Sequence, residues 1–232
     1  MIKAILMDFN GVIIDDEPIQ MRAYQSVLKE HGVDLTEEDY YNSLGMDDKT
    51  FVRAAFDRVA KTVSDEDVSE IVASKTAAWR KEVDAKLPLF DGIDDFIEKM
   101  AHHYTLGIVS MANVNEIEYV LERAGLKEYF STIVSSADVT KCKPDPESYD
   151  LGFRRIDAVR TSSGHLPMTR EECVAIEDSP PGVIAAVKAD LQALGVTNTV
   201  PAEKMREAGA RATANELRDW FPESLRLVFT TE

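Results

Sequence analysis

The chain has 232 residues, 44% hydrophobic and 29% charged, the make-up of an ordinary globular protein with ample material for a core, not of a disordered or fibrous one. Lys and Arg total 26 against 42 Asp and Glu, a formal net charge of −16. That balance excludes a general nucleic-acid binder, which needs a basic footprint, and an anionic substrate would have to be admitted by local positive charge or a metal.

Ile2–Met7 is an apolar run ending at Asp8, as in a strand buried on both faces of a parallel sheet. After "NG" and the loop "VIIDDEP", Ile19–Lys29 reads as a helix closed near Gly32. Thr36, with Asp39 three residues on, predicts a capped helix start. Asp47–Ala60 and Asp65–Val83 are helical by period, and no strand signal falls between Pro18 and Leu87. "KLPLFDG" then leads out of this helical block, and the pattern changes to alternation. Helices are expected at Ile93–His102, Asn113–Ala124, Pro146–Ile156 and Pro181–Ala189, and strands at Tyr104–Ser110, Thr132–Ser136, Cys173–Asp178 and Leu191–Thr197. Thr161–Thr169 reads as a surface loop. Such alternation means βαβ units. The expected fold is α/β, a doubly wound parallel sheet made by residues 1–15 and 87–232, with an all-helical domain inserted over residues 16–86.

Cys142 and Cys173 make no disulfide framework, so reduced thiols in a cytoplasmic protein are expected. "MIKAILMDF" is broken by Asp8 too early for a signal peptide, and no apolar run reaches the ~20 residues of a membrane span. No membrane or nucleic-acid partner is expected, and the protein is read as a monomer.

Three predicted strands end in polar residues: Asp8, Ser110, and Glu177 with Asp178. In open parallel sheets ligands bind at the carboxyl ends of strands. Carboxylates gathered there repel unless a cation sits between them, and oxygen ligands suit Mg²⁺. Lys141 and Lys143 in "KCKPDP" add positive charge near the same rim. Taken singly, each of these residues reads as a turn residue, a helix cap or a solvated lysine; their order along the chain is what carries weight.

"DFNGV", "GIVSMA", "KPDPESY" and "IEDSPPGVIAAV" together resemble, in the right order, the four motifs of the haloacid dehalogenase superfamily, in the branch containing β-phosphoglucomutase and small sugar-phosphate phosphatases. The resemblance spans about Ile2–Thr199, with the helical block in the place of that family's cap. It implies a Rossmann-like core and an aspartyl-phosphate on Asp8. It implies Mg²⁺ held by Asp8, the Asn10 carbonyl and Asp178, with Glu177 bound directly or through water. Ser110 and Lys143 would hold the phosphoryl oxygens, and a cis Lys143–Pro144 bond is expected. The cap loop and the loop after the second strand would read the substrate through Gly45, Met46, Met111 and Asn113.

Asn10 departs from the pattern. The family's second aspartate serves as general acid and then general base, and an amide can do neither, a loss typically worth ~10²–10⁴-fold in rate. Three explanations stand side by side: a substrate with a good leaving group, a proton supplied instead by Asp15, Asp16 or Glu17, or a slow phosphatase or phosphometabolite sensor. The expected activity is Mg²⁺-dependent hydrolysis of a small phosphorylated metabolite, attenuated by Asn10. The alternatives are a sugar-phosphate mutase and a non-turnover phosphometabolite-binding protein. Against the mutase, Gln20 stands where it has histidine, and "SLGMDDKTF" lacks its sugar-phosphate grip. His31, His102, His103 and His165 fall outside every motif.

Overall fold

Six strands build one sheet in the computed structural model, which describes residues 1–230. They are β1 (Ala4–Met7), β2 (Thr105–Val109), β3 (Phe130–Val134), β4 (Cys173–Glu177), β5 (Gln192–Val196) and β6 (Ala212–Ala214). Their spatial order is β3-β2-β1-β4-β5-β6, and every neighbouring pair is parallel. Both faces are covered, which is why the strands read as continuous apolar runs. In β1, Ile5 and Met7 join one core with Val174 and Ile176, while Ala4 and Leu6 join a second core with Cys173 and Ala175 on the opposite face.

The helices are α1 (Glu17–Glu30), α2 (Glu37–Tyr41), α3 (Asp48–Arg58), α4 (Asp65–Ala85), α5 (Ile93–Ala101), α6 (Val114–Ala124), α7 (Glu147–Ser162), α8 (Pro180–Lys188), α9 (Ala202–Glu207) and α10 (Pro222–Phe229). The first four pack around a separate apolar cluster that includes Leu28, Phe51, Val52, Phe56 and Ile71. Thr36, Asp47 and Ser64 each cap a helix here, accepting from the backbone N–H three residues on. Trp79 and Val83, late in α4, belong instead to the sheet-side core, so this helix ties the block to the sheet.

The main departures from expectation lie late in the chain. β6 was not anticipated, because a three-residue Ala-Thr-Ala strand carries no apolar contrast to read. α7 runs to Ser162 instead of Ile156; Arg160 near its end reaches the Lys3 carbonyl and the Thr105 hydroxyl. β3 begins two residues early, and Ser136 falls in the turn after it. The Lys143–Pro144 bond is cis, and both cysteines are free. Among the described residues no helix is long and apolar enough to cross a membrane.

Candidate active site

In this sheet order β1 is the point of reversal: β2 and β3 extend to one side of it, β4 to β6 to the other. A crevice therefore opens beyond the carboxyl ends of β1 and β4. Asp8 follows β1 and donates its N–H to the Ile176 carbonyl at 2.9 Å. Glu177 ends β4 and Asp178 follows it. All three are buried, and one carboxylate oxygen from each lies within 4.8 Å of the others.

A single lysine sits among them. Lys143 Nζ is 3.2 Å from Asp8 Oδ2 and 2.5 Å from Glu177 Oε1, and donates to the Val109 carbonyl at 3.1 Å. Burial alone would lower its pKa, but the flanking Asp8 and Glu177 carboxylates outweigh that and hold its ammonium above the usual range. Tyr149 donates to the same Glu177 oxygen at 2.6 Å, and the Thr199 hydroxyl donates to Asp178 Oδ2. One ammonium offsets one of three charges. Burial, with Asp8's charge next, pushes Glu177 up to about 8 and Asp178 well above the carboxylate range. An uncompensated, all-oxygen cluster of this kind fits a hard divalent cation such as Mg²⁺.

The backbone makes room for these carboxylates. Gly11 has φ of 71°, and a Cβ there would fall on the Asp178 carboxylate. A Cβ on Gly182, in the first turn of α8, would fall on that of Glu177.

A cleft partly open to solvent lies above these carboxylates. Asp8, Asn10, Ser110, Met111, Lys143 and Asp178 line it from the sheet side, and Gly45 and Met46, between α2 and α3, line it from the helical block. Glu177 lies beneath, wholly buried. Asn113 is not in the lining: its Oδ1 accepts from the Asn115 N–H at 2.9 Å and caps α6.

Asn10 is held from behind. Its Nδ2 lies 2.9 and 3.0 Å from the two oxygens of Asp16, which also accepts from Gln20 Nε2 at 3.0 Å and Trp79 Nε1 at 2.7 Å. Burial pushes Asp16 up to about 6 against the pull of these donors. Asp15 is exposed. Glu17 lines the cleft itself, with the Tyr40 hydroxyl donating to Oε2 at 2.5 Å.

Sequence reasoning missed the far wall. Lys75 of α4 is 1% exposed, lies 2.9 Å from Asp48 Oδ1 and 3.3 Å from Glu116 Oε1, and donates to Gln20 Oε1 at 3.1 Å. A lysine on an amphipathic helix reads as solvated, and nothing nearby in the sequence marks its partners. Tyr149 and Thr199 were missed likewise, although Tyr149 lies inside the "KPDPESY" motif.

Residues 5–196 match the family model described as haloacid dehalogenase-like hydrolase. The chain belongs to that family. Among its members, the validoxylamine A 7'-phosphate phosphatase of Streptomyces hygroscopicus subsp. limoneus is 26% identical over 210 residues, covering 90% of this chain and 92% of that one. The phosphorylated carbohydrates phosphatase of Thermotoga maritima is 27% identical over 213 residues, 90% of this chain and 93% of the other. The solved structure of β-phosphoglucomutase from Clostridium difficile superposes with a TM-score of 0.84 over 99% of this chain and 97% of that one, at 18% identity; that likeness is one of fold.

Proposed function

We propose that the protein is a Mg²⁺-dependent phosphatase of a small, polar phosphorylated metabolite, working through a phosphoryl group carried on Asp8. The observation that carries this reading is the convergence of Asp8, Glu177 and Asp178 on one lysine at the sheet's switch point. Relatives named as phosphatases, one of validoxylamine A 7'-phosphate and one of phosphorylated carbohydrates, support it.

In this reading Asp8, the Asn10 carbonyl and Asp178 hold Mg²⁺, with Glu177 bound directly or through water; the ion supplies neutralisation of phosphoryl charge. An Asp8 oxygen attacks phosphorus in line with the departing oxygen. Lys143 and Ser110 hold the equatorial oxygens, the positioning and charge stabilisation on which phosphoryl transfer depends. The helical block acts as a cap that excludes bulk water. The far wall is polar, with Gln20, Lys75 and Glu116 facing the cleft, which favours a hydroxylated body over an apolar one. Asn10 gives metal a carbonyl but gives the leaving group no proton, so turnover of alkyl phosphates is attenuated.

The test is phosphate release from a panel of hexitol, hexose, aryl and acyl phosphates with and without Mg²⁺. Release from at least one class, dependent on Mg²⁺ and abolished by Asp8→Asn, is expected. Asn10→Asp should raise alkyl-phosphate turnover by roughly 10²-fold. No release from any class, or release untouched by Asp8→Asn, sinks the reading.

A further inference from the structure

We propose that Glu17 is the general acid and base of this site, supplying only part of the proton-transfer rate that an aspartate at position 10 would give. The proposal rests on the phosphatase reading above and deepens it.

The cleft holds few groups able to exchange a proton near neutral pH. No histidine lines it. The hydroxyls of Tyr24 and Tyr40 are held well above their usual range by burial and by neighbouring carboxylates, so neither exchanges a proton near neutral pH. Lys75 and Lys143 are locked as ammonium ions by their carboxylate partners. Asp48 and Glu116 are both paired to Lys75, and Glu116 also accepts from Thr76 at 2.7 Å. Asp8 and Asp178 are committed to phosphorus and metal. Glu17 remains. Among the described residues it makes no ion pair within 4.0 Å, and its one hydrogen bond, from Tyr40 to Oε2, leaves Oε1 free.

The two other carboxylates of "DDEP" fail on geometry. Asp15 is exposed and lines a different depression, with Lys86 and Asn215. Asp16 is wholly buried behind Asn10 and surrounded by donors, which fix it as an acceptor. Glu17 opens α1, where the chain passes from the sheet into the helical block, and lines the same cleft as Asp8 and Lys143 on one side and Gly45 and Met46 on the other.

Groups from every side bear on it: Asp8 from β1, Asp16 from its own segment, Tyr40 and Tyr41 from α2, Lys75 from α4 and Asp178 from the β4 end. In the metal-free protein burial first, then the Asp16 charge, pushes its carboxyl up to about 8, in the direction that favours a proton on Glu17. The steps balance. Asp8 bonds to phosphorus as the bond to the ester oxygen breaks, and the Glu17 proton passes to that oxygen, releasing the alcohol. The Glu17 carboxylate then takes a proton from the water that attacks phosphorus, freeing phosphate and restoring Asp8 and protonated Glu17.

The experiment compares glycerol 1-phosphate with 4-nitrophenyl phosphate in the full chain with Mg²⁺. Glu17→Gln should lower kcat/KM for the alkyl ester by roughly 10²-fold or more, while the first burst of nitrophenol changes little, because that leaving group departs without a proton. The alkyl-ester pH profile should show an alkaline limb in the native protein, where Glu17 loses its proton, and Glu17→Gln should abolish that limb. Tyr40→Phe, which leaves Glu17 in place but removes the donor that favours its ionised form, should move that limb to higher pH. An equal loss of kcat/KM on both esters, no loss on the alkyl ester, or a limb unmoved by Tyr40→Phe overturns the proposal. If Asp8→Asn abolishes release but Glu17→Gln does not touch it, only the role of Glu17 falls; if Asp8→Asn retains release, the phosphatase reading itself falls.

Discussion

At the scale of single residues, Asn10 and Asp16 act as a unit. The Asn10 amide is a donor that a buried carboxylate accepts at 2.9 and 3.0 Å. An aspartate in the same place would set two carboxylates against each other at that spacing, with one of them wholly buried. Asn10→Asp should therefore cost stability, about 1–3 kcal/mol for a buried group that loses its donor, even as it gains a proton-exchanging side chain. That is the common conflict between stability and function. The exchange Asn10→Asp with Asp16→Asn rebuilds the hydrogen bond with its polarity reversed, and leaves an amide oxygen to accept from Gln20 and Trp79. Urea unfolding should show the single variant weakened and the double variant restored to within about 1 kcal/mol, a coupling of the size seen for neighbouring residues. Additive losses would mean that the two side chains do not act as a pair.

At the scale of elements, two strand ends and the turns that follow them build the acidic centre. The start of α8 must pass so close to Glu177 that only glycine fits at 182. Glu177 cannot retreat, being 0% exposed and gripped by Lys143 and Tyr149. Gly182→Ala should cost about 1–3 kcal/mol by overpacking and weaken Mg²⁺ binding measured by calorimetry. Gly125→Ala is the contrast: Gly125 caps α6 at φ of 70° with nothing within 4 Å of the added Cβ. It should cost a similar ~1–2 kcal/mol through left-handed strain yet leave Mg²⁺ affinity unchanged. What the sequence made legible divides along the same line. β1, β2 and β4 were readable because their doubly buried strands leave unbroken apolar runs, and Asp8, Lys143, Glu177 and Asp178 because they lie at the ends of such runs or in motifs. β6 was unreadable for want of length. Lys75, Tyr149 and Thr199 act through partners 41, 28 and 21 residues away, a relation that no local pattern encodes. Asn113 was singled out beside the right loop, but its amide serves the helix it begins.

At the scale of the whole molecule, charge decides how the protein responds to pH. The net charge of −16 makes self-repulsion grow as pH rises, and the buried carboxylates add a sharper term. Glu17 and Glu177 are pushed up to about 8 and Asp178 well above its usual range, whereas in the unfolded chain such groups ionise near ~4. Between roughly pH 4.5 and 8 the metal-free folded state thus binds more protons than the unfolded state, and its stability falls as pH rises. Lys143 adds a slope of the same sign, but at higher pH. Its raised pKa gives stability that is complete below about 10.4, the ordinary lysine value, and is lost only above it, outside this window. Mg²⁺ reverses the trend, because it needs Glu177 and Asp178 ionised and displaces their protons. The metal-free protein should therefore melt at a lower temperature at pH 8.5 than at pH 6. Mg²⁺ at a hundred times its Kd should add about 2.7 kcal/mol, some 5–10 °C for a chain of this size. At fixed Mg²⁺ the shift should be larger at pH 8.5 than at pH 6. Asp178→Asn separates the site from the general repulsion: it removes one buried charge, so the metal-free melting temperature should depend less on pH and the Mg²⁺ shift should nearly vanish. A Mg²⁺ shift that is the same at both pH values, or that survives Asp178→Asn, would place the cation somewhere other than among these three carboxylates.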